Sequence, residues 1–166
     1  MIVKLSIVLD HQSDVFREVK IDSSATLEEL HHFIVQVFEL KKDEMAAFYL
    51  TDSEWEQNEE IPLIAMDANS MEMNKLSINE IFSNHDNLLY VNDFLVMWRF
   101  MIEIIEKDEL NSLDTPELFL SFGAMPQDTP QVQFISEEDP YASDDDDYFD
   151  EDFDEFNEFD ESYDEY

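Results

Sequence analysis

The last 30 residues of this chain have no way into a hydrophobic core, and they confine folding to what precedes them. Residues 137–166 hold 17 Asp and Glu and no Lys or Arg. Like charges at that density repel and stay in water. Residues 1–136 hold all 8 basic residues and 26 acidic ones. The formal net charge of −35 thus divides into −18 on the first 136 residues and −17 on the tail. The boundary falls near Ile135–Glu138, with Pro140 just beyond. The expected organisation is a globular domain over 1–136 and an acidic, aromatic tail over 137–166.

This charge excludes whole classes of function. Direct binding of nucleic acid needs clustered Lys and Arg to meet phosphates. An anionic membrane surface repels the chain in the same way. A single glycine, Gly123, leaves no glycine-rich loop to cradle a phosphate. The absence of Cys removes disulfides, thiolate metal sites and Cys nucleophiles, and fits a cytoplasmic setting. No apolar run approaches the roughly 18 residues of a membrane span. The start, Met1-Ile2-Val3-Lys4, alternates and lacks the layout of a signal peptide. It reads as the start of a soluble intracellular protein.

Residues 2–9 alternate as a strand, with Ile2, Val3, Leu5, Ile7 and Leu9 interrupted by Lys4 and Ser6. Asp10–Asp14 is a polar turn, and Val15–Ile21 alternates again, which makes a hairpin. Thr26-Leu27-Glu28-Glu29 is a capping box. Leu27, Leu30, Ile34, Val37 and Phe38 then recur at helical spacing, and Lys41 and Lys42 are placed at the helix C-terminus. Ala46–Leu50 reads as a strand. Residues 51–75 are a polar, Met-rich connection in which Ile61–Met66 is extended. Leu76–Phe82 is a short helix capped by Ser77. Leu88–Asn92 and Val96–Ile105 are strands around a bend at Asp93-Phe94, and Leu118–Phe122 is a further strand. Pro126 and Pro130 mark a surface loop, and Val132–Ile135 returns to the body. The order predicts an α+β fold: a hairpin, then a capped helix packed on a mostly antiparallel twisted sheet, then a disordered acidic tail.

Two stretches resemble a known family. Phe16–Leu50 is similar to the N-terminal half of the plasmid pRiA4b ORF-3-like family, small bacterial and archaeal proteins sometimes labelled insertion-element passengers. Leu89–Glu103 (LYVNDFLVMWRFMIE) resembles the family pattern Tyr-x-Tyr-Asp-Phe-Gly-Asp-x-Trp-x-His-x-Ile. Tyr90, Asp93, Phe94, Trp98 and Ile102 match it. Asn92, Leu95, Val96 and Phe100 replace the second Tyr, the Gly, the second Asp and the His. Any ligand or metal held through that Asp and His loses both groups here. The resemblance covers residues 2–106 and is nearest to acidic-tailed members from the Bacteroidetes. It implies an α+β domain and no particular activity.

The candidate sites divide between body and tail. Glu28 and His32, at i and i+4, suit one metal ion or a plain helix surface. Two ligands are too few for a site, so no metal and no cofactor is expected. Asp93 beside Trp98 suits an acid in an aromatic surround. Its bland alternative is an Asp capping the bend while Phe94 and Trp98 fill the core. Trp55, in an acidic loop, suits an interface anchor or a cover for the core. In the tail, Asp144, Asp145, Asp146 and Asp147 form a carboxylate run without the Gly and ligand order of a calcium loop. Phe149, Phe153, Phe156, Phe159, Tyr163 and Tyr166 are spaced 4, 3, 3, 4 and 3. On a helix they share one face of roughly 140°.

Two functions follow as expectations. The first is a non-catalytic interaction protein. Its tail binds a basic, nucleic-acid-handling protein, such as RNA polymerase, a ribosomal protein or a nucleoid protein. Carboxylates stand in for phosphates and aromatics for bases. The second is an enzyme or small-ligand domain with a pocket near Asp93 and Trp98.

Overall fold

The computed structural model describes residues 1–67 and 70–127. Seven antiparallel strands form one sheet in the order β4-β3-β5-β6-β1-β2-β7. They are β1 (Ile2–Leu9), β2 (Phe16–Asp22), β3 (Ala46–Thr51), β4 (Gln57–Pro62), β5 (Asn87–Asn92), β6 (Trp98–Asp108) and β7 (Glu117–Phe122). Among the described residues two α-helices, α1 (Leu27–Val37) and α2 (Ile78–Phe82), and a 3-10 turn at Met73–Lys75 complete an α+β architecture in which the sheet dominates. No described helix is long and apolar enough to cross a membrane.

Alternation sets the core. Val3, Leu5, Ile7 and Leu9 of β1 and Val19 and Ile21 of β2 are buried on one face. That face meets Leu27, Leu30 and Ile34 of α1. Phe48, Tyr90 and Phe100 meet beneath the helix, with Phe38 4.6 Å from Phe100 between ring centroids. Each fully buried side chain of this size contributes about 1.5–3 kcal/mol.

Both helix starts are capping boxes. Thr26 accepts from the Glu29 amide while the Glu29 carboxylate accepts from the Thr26 amide. Ser77 and Glu80 repeat the arrangement at α2. The two starts are laced together, since the Leu27 amide donates to the Leu76 carbonyl and the Ile78 amide to the Ala25 carbonyl, both at 2.9 Å.

Three expectations change. α1 ends at Val37, so Lys41 and Lys42 lie beyond it and its last turn holds no basic residue. The cation comes instead from β2: Arg17 is buried and its Nε donates to the Val37 carbonyl at 3.1 Å. Its Nη1 also donates to the Phe122 carbonyl at 2.7 Å, which ties β7 to the helix end. The extended segment placed at Ile61–Met66 begins earlier, as β4 over Gln57–Pro62. Pairing with β3 makes that strand, and only its Ile61 is fully buried. Phe94 does not fill the core: it stands 37 % exposed. Trp98 is half-buried and packs against the core as expected. Val132–Ile135, the boundary at Ile135–Glu138 and the tail lie outside the described residues.

Gly123 follows β7 with φ +73°. A Cβ there would collide with the Asp14 carbonyl oxygen, so the one glycine stands where two backbones meet.

Candidate functional site

The motif residues separate into a buried chain and an outward turn. Tyr90 on β5 is fully buried, opposite Phe48 on β3 and Phe100 on β6. Its hydroxyl lies 2.8 Å from His31 Nδ1 of α1. Asn92 Nδ2 donates to the same hydroxyl at 3.2 Å. With Asn92 donating, the Tyr90 O–H donates to His31 Nδ1, and the imidazole keeps its proton on Nε2. Burial, reinforced by the neighbouring His32, pushes the His31 pKa down to about 4. Burial likewise pushes the Tyr90 hydroxyl up, against the opposing bond from Asn92. Both groups are therefore neutral at pH 7. Ile102 is fully buried opposite Ile7 and Leu88, and acts in packing.

Asp93 makes the turn between β5 and β6. It is buried, sits at φ +58°, and its Oδ1 accepts from the amides of Leu95 (3.0 Å) and Val96 (3.1 Å). Its own amide donates to the Met45 carbonyl at 2.9 Å. Asp and Asn tolerate this left-handed backbone better than most residues. Bonded so, Asp93 turns Phe94 outward into a groove beside Met45, Pro62 and Ile64. The carboxylate holds a loop here. Asp93→Asn, which keeps both the acceptor and the backbone preference, should leave stability within about 0.5 kcal/mol. Asp93→Ala should cost about 1–2 kcal/mol, as loss of a helix cap does. Urea denaturation of the two variants checks this, and equal losses would refute the loop-holding role.

The other candidates stand apart from this turn. His32 Nδ1 donates to the Glu28 carbonyl at 2.8 Å, so that ring is turned to the backbone of its own helix. Trp55 is half-buried at φ +64°, in a turn where Asp52 Oδ1 accepts from the amides of Glu54 and Glu56. Among the described residues, no three His, Asp or Glu side chains converge as metal ligands would. Asp144–Asp147 and the stripe from Phe149 to Tyr166 lie outside the described residues.

Sequence reasoning missed the His31–Tyr90–Asn92 chain. The signal was present: His31 lies one turn beyond Leu27 and shares a face with Leu30 and Ile34. The groove at Phe94 gave no such signal, because it depends on the backbone of Asp93.

The fold has a counterpart among solved structures. A protein of unknown function from Methanosarcina mazei Go1 has a crystal structure that superposes with a TM-score of 0.62 at 16 % identity. The match covers 76 % of this chain and 72 % of that one, and it speaks for the fold alone. No curated protein matches the chain. The sequence profile of the plasmid pRiA4b ORF-3-like proteins matches residues 1–164, taking in the β5–β6 motif and most of the tail. The chain belongs to the plasmid pRiA4b ORF-3-like family.

Proposed function

We propose that this chain is a non-catalytic acidic interaction protein whose tail engages a basic, nucleic-acid-handling partner by mimicking nucleic acid. One observation carries the reading. Residues 137–166 combine 17 carboxylates, no cation and eight aromatic residues. A tail that serves only solubility is poor in aromatics. Closely spaced carboxylates answer a surface built for phosphates, and Phe and Tyr answer the platforms on which bases stack. The engagement of Asp93 with the amides of its own turn also favours this reading over a catalytic acid at that position.

The test is capture from the native host with the full chain and with a chain ending at Ile135. The full chain retains a basic nucleic-acid-binding protein. The shortened chain loses it, and duplex DNA competes for it. Retention falls steeply between 0.1 and 1 M salt, as the screening length drops from about 10 Å to about 3 Å. Asn at Asp144–Asp147, four of the 17 carboxylates, lowers the salt dependence by roughly a quarter, while Ser at Phe149, Phe153, Phe156 and Phe159 weakens capture without changing it. Equal recovery by both chains refutes the role of the tail.

A further inference from the structure

Where β3 begins and β4 ends, the sheet carries an apolar groove of about 560 Å³. Met45, Pro62, Leu63, Ile64, Met66 and Phe94 form its apolar lining. Several of these are far out in solvent: Met66 is 98 % exposed, Ile64 74 % and Met45 60 %. Leu95, next to Phe94, is 89 % exposed. Isolated exposed apolar side chains are ordinary, but a contiguous group around a concavity marks a contact surface. Methionine suits such a surface because its unbranched, polarisable side chain adapts to an irregular guest.

Charge says what the guest is. Asp43, Glu44, Glu60 and Asp67 line the groove against a single Lys42. An anionic guest meets repulsion on entry, while a cationic one gains from every side. The groove is also kept in shape by the motif: Asp93 bonds the Met45 carbonyl and holds Phe94 at the wall.

We propose that this groove docks a Lys- or Arg-bearing segment of a partner protein, which inserts a bulky apolar side chain among Met45, Ile64, Met66 and Phe94. The proposal rests on the reading above for the class of partner. It gives that partner a second attachment, on the folded body. Two linked contacts raise the effective concentration of each, so the groove adds affinity that salt alone does not remove.

The tail contains no Met, and all eight methionines lie within residues 1–125. Methyl-labelled methionine in the full chain therefore reports on the body, whatever the tail binds. The probe is a short synthetic peptide of Lys and Leu with one Trp, compared with its Glu-for-Lys counterpart. The Met45 and Met66 methyl signals should shift saturably with the Lys peptide, and that of Met73, fully buried in the core, should stay fixed. Ile64→Asn, an uncharged change at an exposed position, should weaken this response about tenfold, the loss typical of an interface anchor. Equal response to the Glu peptide overturns the proposal and makes the groove a site for apolar ligands of any charge. A change in peptide Trp fluorescence with unmoved methyl signals overturns the groove and leaves the tail reading standing. No response in either signal overturns both.

Discussion

Phe100→Ala should lower the unfolding free energy by about 3–5 kcal/mol, the cost of emptying a fully buried aromatic site. Phe100 is fully buried, with its ring 4.6 Å from Phe38 and 5.8 Å from Tyr90 between centroids. Those neighbours belong to different elements, the end of α1 and the middle of β5, so collapse onto the vacancy from either side breaks other contacts. The loss is a large fraction of the about 5–15 kcal/mol that holds a typical domain. Urea denaturation should show a lower midpoint with an unchanged slope. A loss below about 1 kcal/mol would mean the site relaxes freely and is not the pivot of the core. The position also bears on function. Where the family pattern places His, this chain uses the site for packing, and Phe100→His would bury an imidazole beside Tyr90, whose hydroxyl already serves His31 and Asn92.

What was legible in the sequence follows from how local each cause is. The alternation in β1 and β2 reports one buried face, and the structure buries Val3, Leu5, Ile7, Val19 and Ile21 accordingly. The Thr26–Glu29 box spans one helical turn and appears as read. β4 was displaced because Gln57–Glu60 are all exposed and carry no burial pattern; pairing to β3 alone makes them a strand. Arg17 alternates in phase with Val15, Val19 and Ile21 and is buried with them, but its bond to Phe122 crosses 105 positions and no local rule anticipates it. The alternative in which Asp93 caps the bend while Phe94 and Trp98 fill the core fails at Phe94 alone. The left-handed backbone at Asp93 turns the chain outward there, and a composition argument carries no backbone dihedral. The candidate site was thus half legible. The motif identified the turn, and the structure supplied what the turn displays.

The second large effect is a pH dependence centred on His31. An unfolded His titrates near 6.5, and burial holds this one at about 4. The folded state therefore refuses a proton that the unfolded state accepts. Stability is fully present above about pH 6.5, declines as pH falls through that value, and levels off below about 4. The span of this decline is about 3 kcal/mol, of which about 1.4 kcal/mol is already lost at pH 5.5. Burial and His32 set this sign, against the Glu39 carboxylate on the cavity wall beside the ring. The Tyr90 hydroxyl donates to Nδ1, and the cavity wall shared with His31 holds His32, Glu39 and Lys42. Protonation would take the acceptor away from Tyr90 and place a cation beside His32. Carboxylates titrate in the lower part of the same range and act oppositely where acid relieves their mutual repulsion, so the wild-type curve alone mixes two effects. The comparison with His31→Gln separates them, because the amide keeps a hydrogen-bonding group and does not titrate. Subtracting the variant's unfolding free energies from those of the wild type, measured in urea between pH 7.5 and 4, should leave the His31 curve. A flat difference across that range would show that the ring takes up its proton as readily folded as unfolded.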